Sequence, residues 1–253
     1  MSSQSRNLLE CVDVHYAPVD RGLRPGRWYK PSTAVVKHPS GEQRMVKGYP
    51  SVFPLAPYFR LLAGHEYRML QRVDGLAFTP GRASRCKESP GTLAYDFVEG
   101  ARLKDQSRDG GIPEDFFIRL YAAVQQLHRR GVIHFDLGNS GNVLCSVSGE
   151  PRIIDFGSAV PMYLLPRTVA DWGRGKDLMG VLKLWYRFDR ESMPEPTLKY
   201  FLANYRKNIY TPRRFLKALK RCLANPVQAW RDSTPVAFIV GLFAILLTVS
   251  SII

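Results

Sequence analysis

Two β-prone runs, at 33–37 and 43–49, flank the turn-forming tetrapeptide His38-Pro39-Ser40-Gly41 and together predict a hairpin. Residues 57–73 follow, with Leu61, Leu62, Met69 and Leu70 set among polar positions, which predicts a helix. The stretch 76–97 predicts two further strands broken by a polar loop at 82–91, and Glu99-Gly100 closes the strand series. Pro113-Glu114-Asp115 opens a helix over 112–130, where Phe117, Leu120, Ala123, Val124 and Leu127 recur at helical spacing. Short apolar bursts at 132–134, 142–145 and 152–154 each run into a loop or turn, and 176–188 predicts another helix. The order is a β-rich first part with one helix, then a helix-rich second part.

The two ends differ from this middle. Residues 1–30 carry Pro18, Gly22, Pro25 and Gly26 among charges with little periodicity, an irregular lead-in, and residues 1–7 lack the apolar run of a secretory signal. At the other end, 235–253 holds nineteen residues without a charge, interrupted only by Thr248, Ser250 and Ser251. A hydrocarbon core of about 30 Å needs roughly 20 helical residues, so one transmembrane helix is expected there. Between 202 and 231 stand eight basic residues and no acidic one, a flank that attracts anionic headgroups and keeps its side of the membrane cytoplasmic. Phe215, Leu216, Leu219 and Leu223 fall at helical spacing within it, as in an amphipathic helix lying on the bilayer or on the domain. The chain is expected to be single-pass and tail-anchored, with its bulk in the cytoplasm.

Composition narrows the picture only slightly. Lys and Arg number 36 against 22 acidic residues, a formal charge of +14 that favours a polyanionic neighbour such as ATP or an acidic bilayer. Nucleic acid would rest on this charge alone and is not expected as a partner. The four cysteines, Cys11, Cys86, Cys145 and Cys222, form no pair at metal-ligand spacing and read as free thiols.

The informative constellation is His134-Phe135-Asp136, then Asn142-Val143-Leu144, then Asp155-Phe156-Gly157, following a long helix that ends His128-Arg129-Arg130-Gly131. Phosphoryl transfer from a nucleotide needs a carboxylate to position the attacking hydroxyl and oxygen ligands to hold magnesium across the phosphates. In this order the motifs resemble those of the protein kinase superfamily, whose catalytic loop reads His-Arg-Asp with a downstream Asn and whose metal loop reads Asp-Phe-Gly. The resemblance implies an α+β, two-lobed protein kinase-like fold with a small β-rich N-lobe and a helical C-lobe, here followed by the C-terminal transmembrane helix. It implies roles for Asp136 as the catalytic carboxylate, Asn142 and Asp155 as metal ligands, and Lys47 and Glu66 as the ion pair that clamps the nucleotide. The segment Tyr95-Asp96-Phe97-Val98-Glu99-Gly100 looks like the hinge, where backbone groups at Phe97 and Glu99 would hold the adenine. His134 takes a bracing role, and Asp177 would brace the catalytic loop from the following helix. Lys37 is an alternative to Lys47, and Asn139 is an alternative to Asn142. The boundaries that follow are 1–27 lead-in, 28–100 N-lobe, 101–200 C-lobe, 201–234 basic juxtamembrane segment and 235–253 membrane span.

The sequence also departs from the superfamily pattern. No Gly-x-Gly-x-x-Gly precedes the hairpin, so the phosphate cover falls to residues such as Lys30, Ser32 and Thr33. Phe135 stands where an arginine usually precedes the aspartate, and Gly138 stands where Ser/Thr kinases carry a lysine. No Ala-Pro-Glu follows Asp155-Phe156-Gly157, leaving little room for a peptide-docking segment. Short divergent kinases of this kind resemble the RIO-type and the bacterial lipopolysaccharide core (heptose or Kdo) kinases. The expected function is an ATP- and Mg2+-dependent kinase acting on a hydroxyl of a glycolipid sugar or a protein Ser/Thr, at a bacterial inner membrane. The alternative is a membrane-anchored, kinase-like scaffold without catalysis.

Overall fold

The computed structural model of the protein describes residues 16–19, 25–26, 30–109 and 111–205. The first part folds into a five-stranded antiparallel sheet of order β1-β2-β3-β5-β4, whose three longer strands each carry a run of three or four buried residues. Its strands are β1 (Ala17–Pro18), β2 (Ser32–Lys37), β3 (Gln43–Gly48), β4 (Ser84–Arg85) and β5 (Thr92–Asp96). The predicted hairpin is present, with Ser32 opposite Gly48 and Lys37 opposite Gln43. That register sets Lys47 opposite Thr33 on one side and Leu93 on the other, in the middle of the sheet.

Helix α1 (Ala56–Val73) buries Phe59, Ala63, Glu66, Met69, Leu70 and Val73, a spacing of three or four residues that makes one inward stripe. Glu66 sits within this otherwise apolar stripe, and burial of an acid is favourable only beside a partner. After β6 (Ala101–Arg102) and α2 (Leu103–Asp109), helix α3 (Phe116–Arg129) buries Phe116, Phe117, Leu120, Ala123, Val124 and Leu127. Each such Leu or Phe contributes about 1.5–3 kcal/mol over leaving it exposed. Gly131, with φ +73°, turns the chain out of α3. Phe117 stacks on Trp185 of α4 (Arg167–Phe188) at 5.7 Å, and α5 (Glu195–Asn204) packs on α4 through Phe201 and Tyr186.

Between α3 and α4 the chain makes β7 (Val132–Ile133), β8 (Val143–Cys145), β9 (Pro151–Ile153) and β10 (Val160–Pro161). β7 pairs with β10, and β8 lies between β6 and β9. These small ladders hold two loops, 134–142 and 154–159, side by side. A backbone bond from Ile154 N–H to the Asn142 carbonyl (2.9 Å) ties one loop to the other.

Three expectations are corrected. The 76–82 stretch is not a strand: it turns beneath the end of α1, with Leu76 N–H on the Val73 carbonyl and the Thr79 hydroxyl on the same carbonyl at 2.9 Å. The edge strand β4 forms instead inside the expected polar loop, where a two-residue pairing with β5 needs no apolar alternation. Helix α4 begins at Arg167, well before 176, because Gly173 and Gly175 interrupt its apolar pattern while Pro166 supplies an extended entry (ψ 144°). Cys86 is disulfide-bonded rather than a free thiol; Cys145 is free and buried. The expected span at 235–253 and its basic flank from residue 206 lie outside the described residues. Among the described residues no helix is long and apolar enough to cross a membrane.

Candidate active site

The centre of the sheet, α1 and the 154–159 loop converge on the Lys47 ammonium. Its Nζ stands 2.9 Å from Glu66 Oε1 and 2.9 Å from Asp155 Oδ1. Lys47 and Glu66 are 7% and 1% exposed, so the Glu66 charge depends on Lys47 for compensation, while Lys47 shares its charge with Asp155 as well. The Tyr49 hydroxyl donates to the second Glu66 oxygen at 2.6 Å, fixing the carboxylate in place. Burial works against the Lys47 charge, yet Glu66, with Tyr49, Tyr95 and Asp155 behind it, outweighs burial and lifts the group well above its ordinary 10.5. Burial pushes the Asp155 carboxyl up, but the attraction and hydrogen bond of Lys47 and a backbone bond at Gly157 prevail, leaving it below its ordinary 3.8. Lys37, the alternative, is exposed at the end of β2.

Asp155 adopts a left-handed backbone conformation, φ +66°, which a non-glycine residue holds only when its surroundings impose it. The next residue, Phe156, is fully buried with its ring edge-on to His134 at 5.0 Å. His134 braces both loops: its Nδ1 accepts from Asp136 N–H at 3.3 Å, which leaves the Nε2–H to donate to the Ile154 carbonyl at 3.2 Å. Asp177, 1% exposed on α4, accepts the backbone N–H groups of His134 (2.7 Å) and Phe135 (2.8 Å), and the His128 Nε2 stands 3.1 Å from it.

Asp136 and Asn142 meet directly. The Asn142 Nδ2 donates to Asp136 Oδ2 at 2.8 Å and to its carbonyl at 3.1 Å, which turns the amide oxygen the other way. Asn139 spends its own Oδ1 on Gly141 N–H at 3.1 Å, whereas Asn142 Oδ1 accepts only a long 3.5 Å bond from Asn139 Nδ2, so Asn142 carries the freer oxygen. An amide oxygen and a carboxylate are the hard donors that suit Mg2+. Among the described residues no three His, Cys, Asp or Glu side chains form a metal cage. A cation held by Asn142 and Asp155 would therefore complete its shell with water and phosphate oxygens, as Mg2+ does.

Lys47, Asn142 and Asp155 open onto a cleft of about 900 Å³, and Asp136 reaches it through its hydrogen bond to Asn142. Val35, Met45, Tyr95, Leu144 and Ile154 give it apolar walls, and Lys47, Asn142 and Asp155 lie at its polar end, a division that fits an aromatic base and its phosphates. Phe97, Val98 and Gly100 line it at the expected hinge. Gly100 is required there, since a Cβ would fall 2.9 Å from the Cys145 carbonyl oxygen. Phe97 N–H is engaged with the Gln43 carbonyl at 3.2 Å, and Glu99 lines a separate outer depression with Ser146 and Arg152. Lys30 and Thr33 line the roof, whereas the Ser32 hydroxyl bonds the Gly48 carbonyl.

Sequence reasoning missed Tyr49, which looked like the end of a strand, and His65, whose ring meets the Ala159 carbonyl at 2.6 Å and links α1 to the loop after Gly157. Neither carries a motif of its own; both are found only by what they touch.

The fold these elements define is protein kinase-like. It is similar to the Rio2 kinase from Chaetomium thermophilum, with a TM-score of 0.52 and 20% identity, over 76% of this chain and 64% of that one. The Rio2 kinase-ADP/Mg2+-phosphoaspartate complex from the same organism gives 0.49 at 20% identity, over 76% of this chain and 62% of that one. The chain thus spans less than two thirds of the length of either structure. No family model matches the sequence, and no curated protein matches it.

Proposed function

We propose that the protein is a phosphotransferase that uses ATP and Mg2+. The observation that carries this reading is the double contact of Lys47, 2.9 Å from both Glu66 and Asp155, at a cleft also lined by Asn142, which is hydrogen-bonded to Asp136. Lys47 and Glu66 would hold the nucleotide phosphates, and Asn142 with Asp155 would hold Mg2+, which supplies charge neutralisation at the β and γ phosphates. Asp136 would orient the acceptor hydroxyl and take its proton. The new bond is acceptor O to γ-phosphorus, the broken one is γ-phosphorus to the β,γ-bridging oxygen, and ADP leaves with that electron pair. We place the acceptor in the class of glycolipid sugars ahead of protein Ser/Thr, because the sequence leaves little room for a peptide-docking segment and patterns as a membrane-tethered chain with a cytoplasmic kinase-like part.

The test is ADP release and Mg2+-dependent thermal stabilisation by ATP, for the unaltered chain and Asp155→Ala. The reading requires stabilisation by ATP that depends on Mg2+, and turnover lowered at least about 100-fold by the substitution. Undiminished turnover in Asp155→Ala overturns the metal assignment. For the acceptor, lipid extracts of a deletion strain should lack a phosphate found in the parent.

One observation favours a second reading, a nucleotide-binding or silent scaffold. Pro25 and Pro31 line the cleft, and a proline offers no N–H to a phosphate. Stabilisation by ATP that is indifferent to Mg2+, with no turnover, is the signature of that case.

A further inference from the structure

Helix α4 reads the 134–142 loop along one face. Gly173 lies beneath Phe135 and Ile133, Asp177 holds the two N–H groups at 134 and 135, and Gly180 meets Gly138 and Leu137 so closely that a Cβ would fall 2.8 Å from Gly138 N. One turn further, Lys183 donates from Nζ to the Gly138 carbonyl at 2.8 Å. A side chain built on Gly138 would put its Cβ 3.5 Å from that same Nζ. The ammonium therefore stands beside the place where a residue two positions after Asp136 would project its side chain.

Its chemistry is unspent. An ammonium has three donors, and among the described residues Lys183 makes this single hydrogen bond and no ion pair. Of the lysines that line the cleft, Lys47 divides its charge between Glu66 and Asp155, and Lys30 stands at the roof. A phosphoryl group in transfer spreads negative charge over three equatorial oxygens and must approach the carboxylate of Asp136, so a cation on the Asp136 side complements the charge of Lys47.

We propose that Lys183, delivered from α4, stabilises the transferring phosphoryl group in the space that Gly138 leaves open. The inference rests on the phosphotransferase reading and deepens it. Lys183 keeps its proton throughout, moving a hydrogen bond to a phosphoryl oxygen while the acceptor proton goes to Asp136. Gly138 has no positive φ and its Cβ would make ordinary contacts, so a lysine can be placed there without strain.

The full chain is compared with Lys183→Met, Lys183→Arg and the double variant Lys183→Met/Gly138→Lys, with ATP, Mg2+ and water as acceptor. ADP release is the readout, beside the melting temperature with and without ATP·Mg2+. Lys183→Met should lower turnover roughly 100-fold while ATP·Mg2+ still raises the melting temperature as in the unaltered chain. The double variant should recover most of the loss, because the charge is restored from the loop itself, and Lys183→Arg should recover part. Turnover in Lys183→Met within about threefold of the unaltered chain overturns the inference alone. So does a loss that lysine at 138 leaves unrepaired, which would make Lys183 a strut for the loop. No turnover in the unaltered chain overturns the phosphotransferase reading, and this inference with it.

Discussion

The Asp177 carboxylate holds Phe135 in a left-handed backbone conformation. It accepts the Phe135 N–H at 2.8 Å, and Phe135 has φ +63°, a region that bulky residues avoid. The strain lies one residue before Asp136, so the direction of that carboxylate depends on an acid 41 residues further along the chain.

Asp177→Ala therefore strips two backbone donors of their acceptor and releases the strained residue. We expect a loss of about 3 kcal/mol, from the usual cost of unpaired buried donors. Turnover should fall about 100-fold at temperatures where the variant is still folded, because Asp136 is misplaced. Thermal melts and ADP release check both, and an unchanged melting temperature would remove Asp177 from this role.

Breaking the buried pair from one side should be costly. Lys47→Met leaves the buried Glu66 carboxylate without its cation and should cost about 3–5 kcal/mol in urea unfolding, whereas Glu66→Leu leaves Lys47 paired with Asp155 and should cost less. The double variant should cost clearly less than the sum. Additivity within about 0.5 kcal/mol would mean that the two side chains are not coupled.

The contact of α4 with the loop can be probed at two glycines in one helix. In Gly180→Ala the new methyl meets Gly138 N at 2.8 Å and the Leu137 carbonyl carbon at 3.2 Å. Backbone atoms cannot rotate away, so a loss of about 1–3 kcal/mol and reduced turnover are expected. Gly175→Ala meets nothing within 4 Å and should gain about 0.5–1 kcal/mol from helix propensity. Equal effects at the two positions would contradict the packing described.

The charged trio should be insensitive to pH near neutrality. Asp155 is lowered from 3.8, so its contribution is present above that value and is lost as pH falls through its depressed value. Lys47 is raised above 10.5, so its contribution is complete below that value and is lost as pH rises further. The difference in melting temperature between the unaltered chain and Asp155→Asn should thus be flat from about pH 5 to 9 and shrink only in stronger acid. A step near pH 7 would assign the dependence to another group.

Much of this was legible without coordinates, for identifiable reasons. The hairpin, α1 and α3 follow from local periodicity, and the motifs at 134–136 and 155–157 are contiguous, so their order alone points to the fold. Lys47 and Glu66 could be proposed because each sits on a strongly patterned element. The strand expected at 76–82 failed because the register of an edge strand is set by its neighbour: β4 pairs with β5 through Ser84 and Arg85, which have no apolar signature. The early start of α4 was hidden by Gly173, which is glycine because Ile133 and Phe135 press on it.

Residue order by itself determined the hairpin, α1, α3 and the two short motifs, since these depend on neighbours a few residues away, and the resemblance those motifs carry singled out Lys47, Glu66, Asp136, Asn142 and Asp155 as candidates. Only the tertiary structure decided that Tyr49 orients Glu66, that Asp177 strains Phe135, and that Lys183 stands beside Gly138. Those contacts join positions far apart in the chain, and their geometry follows from how helices and sheet pack around a shared core. No local pattern encodes such a distance; it exists once burial has drawn the elements together.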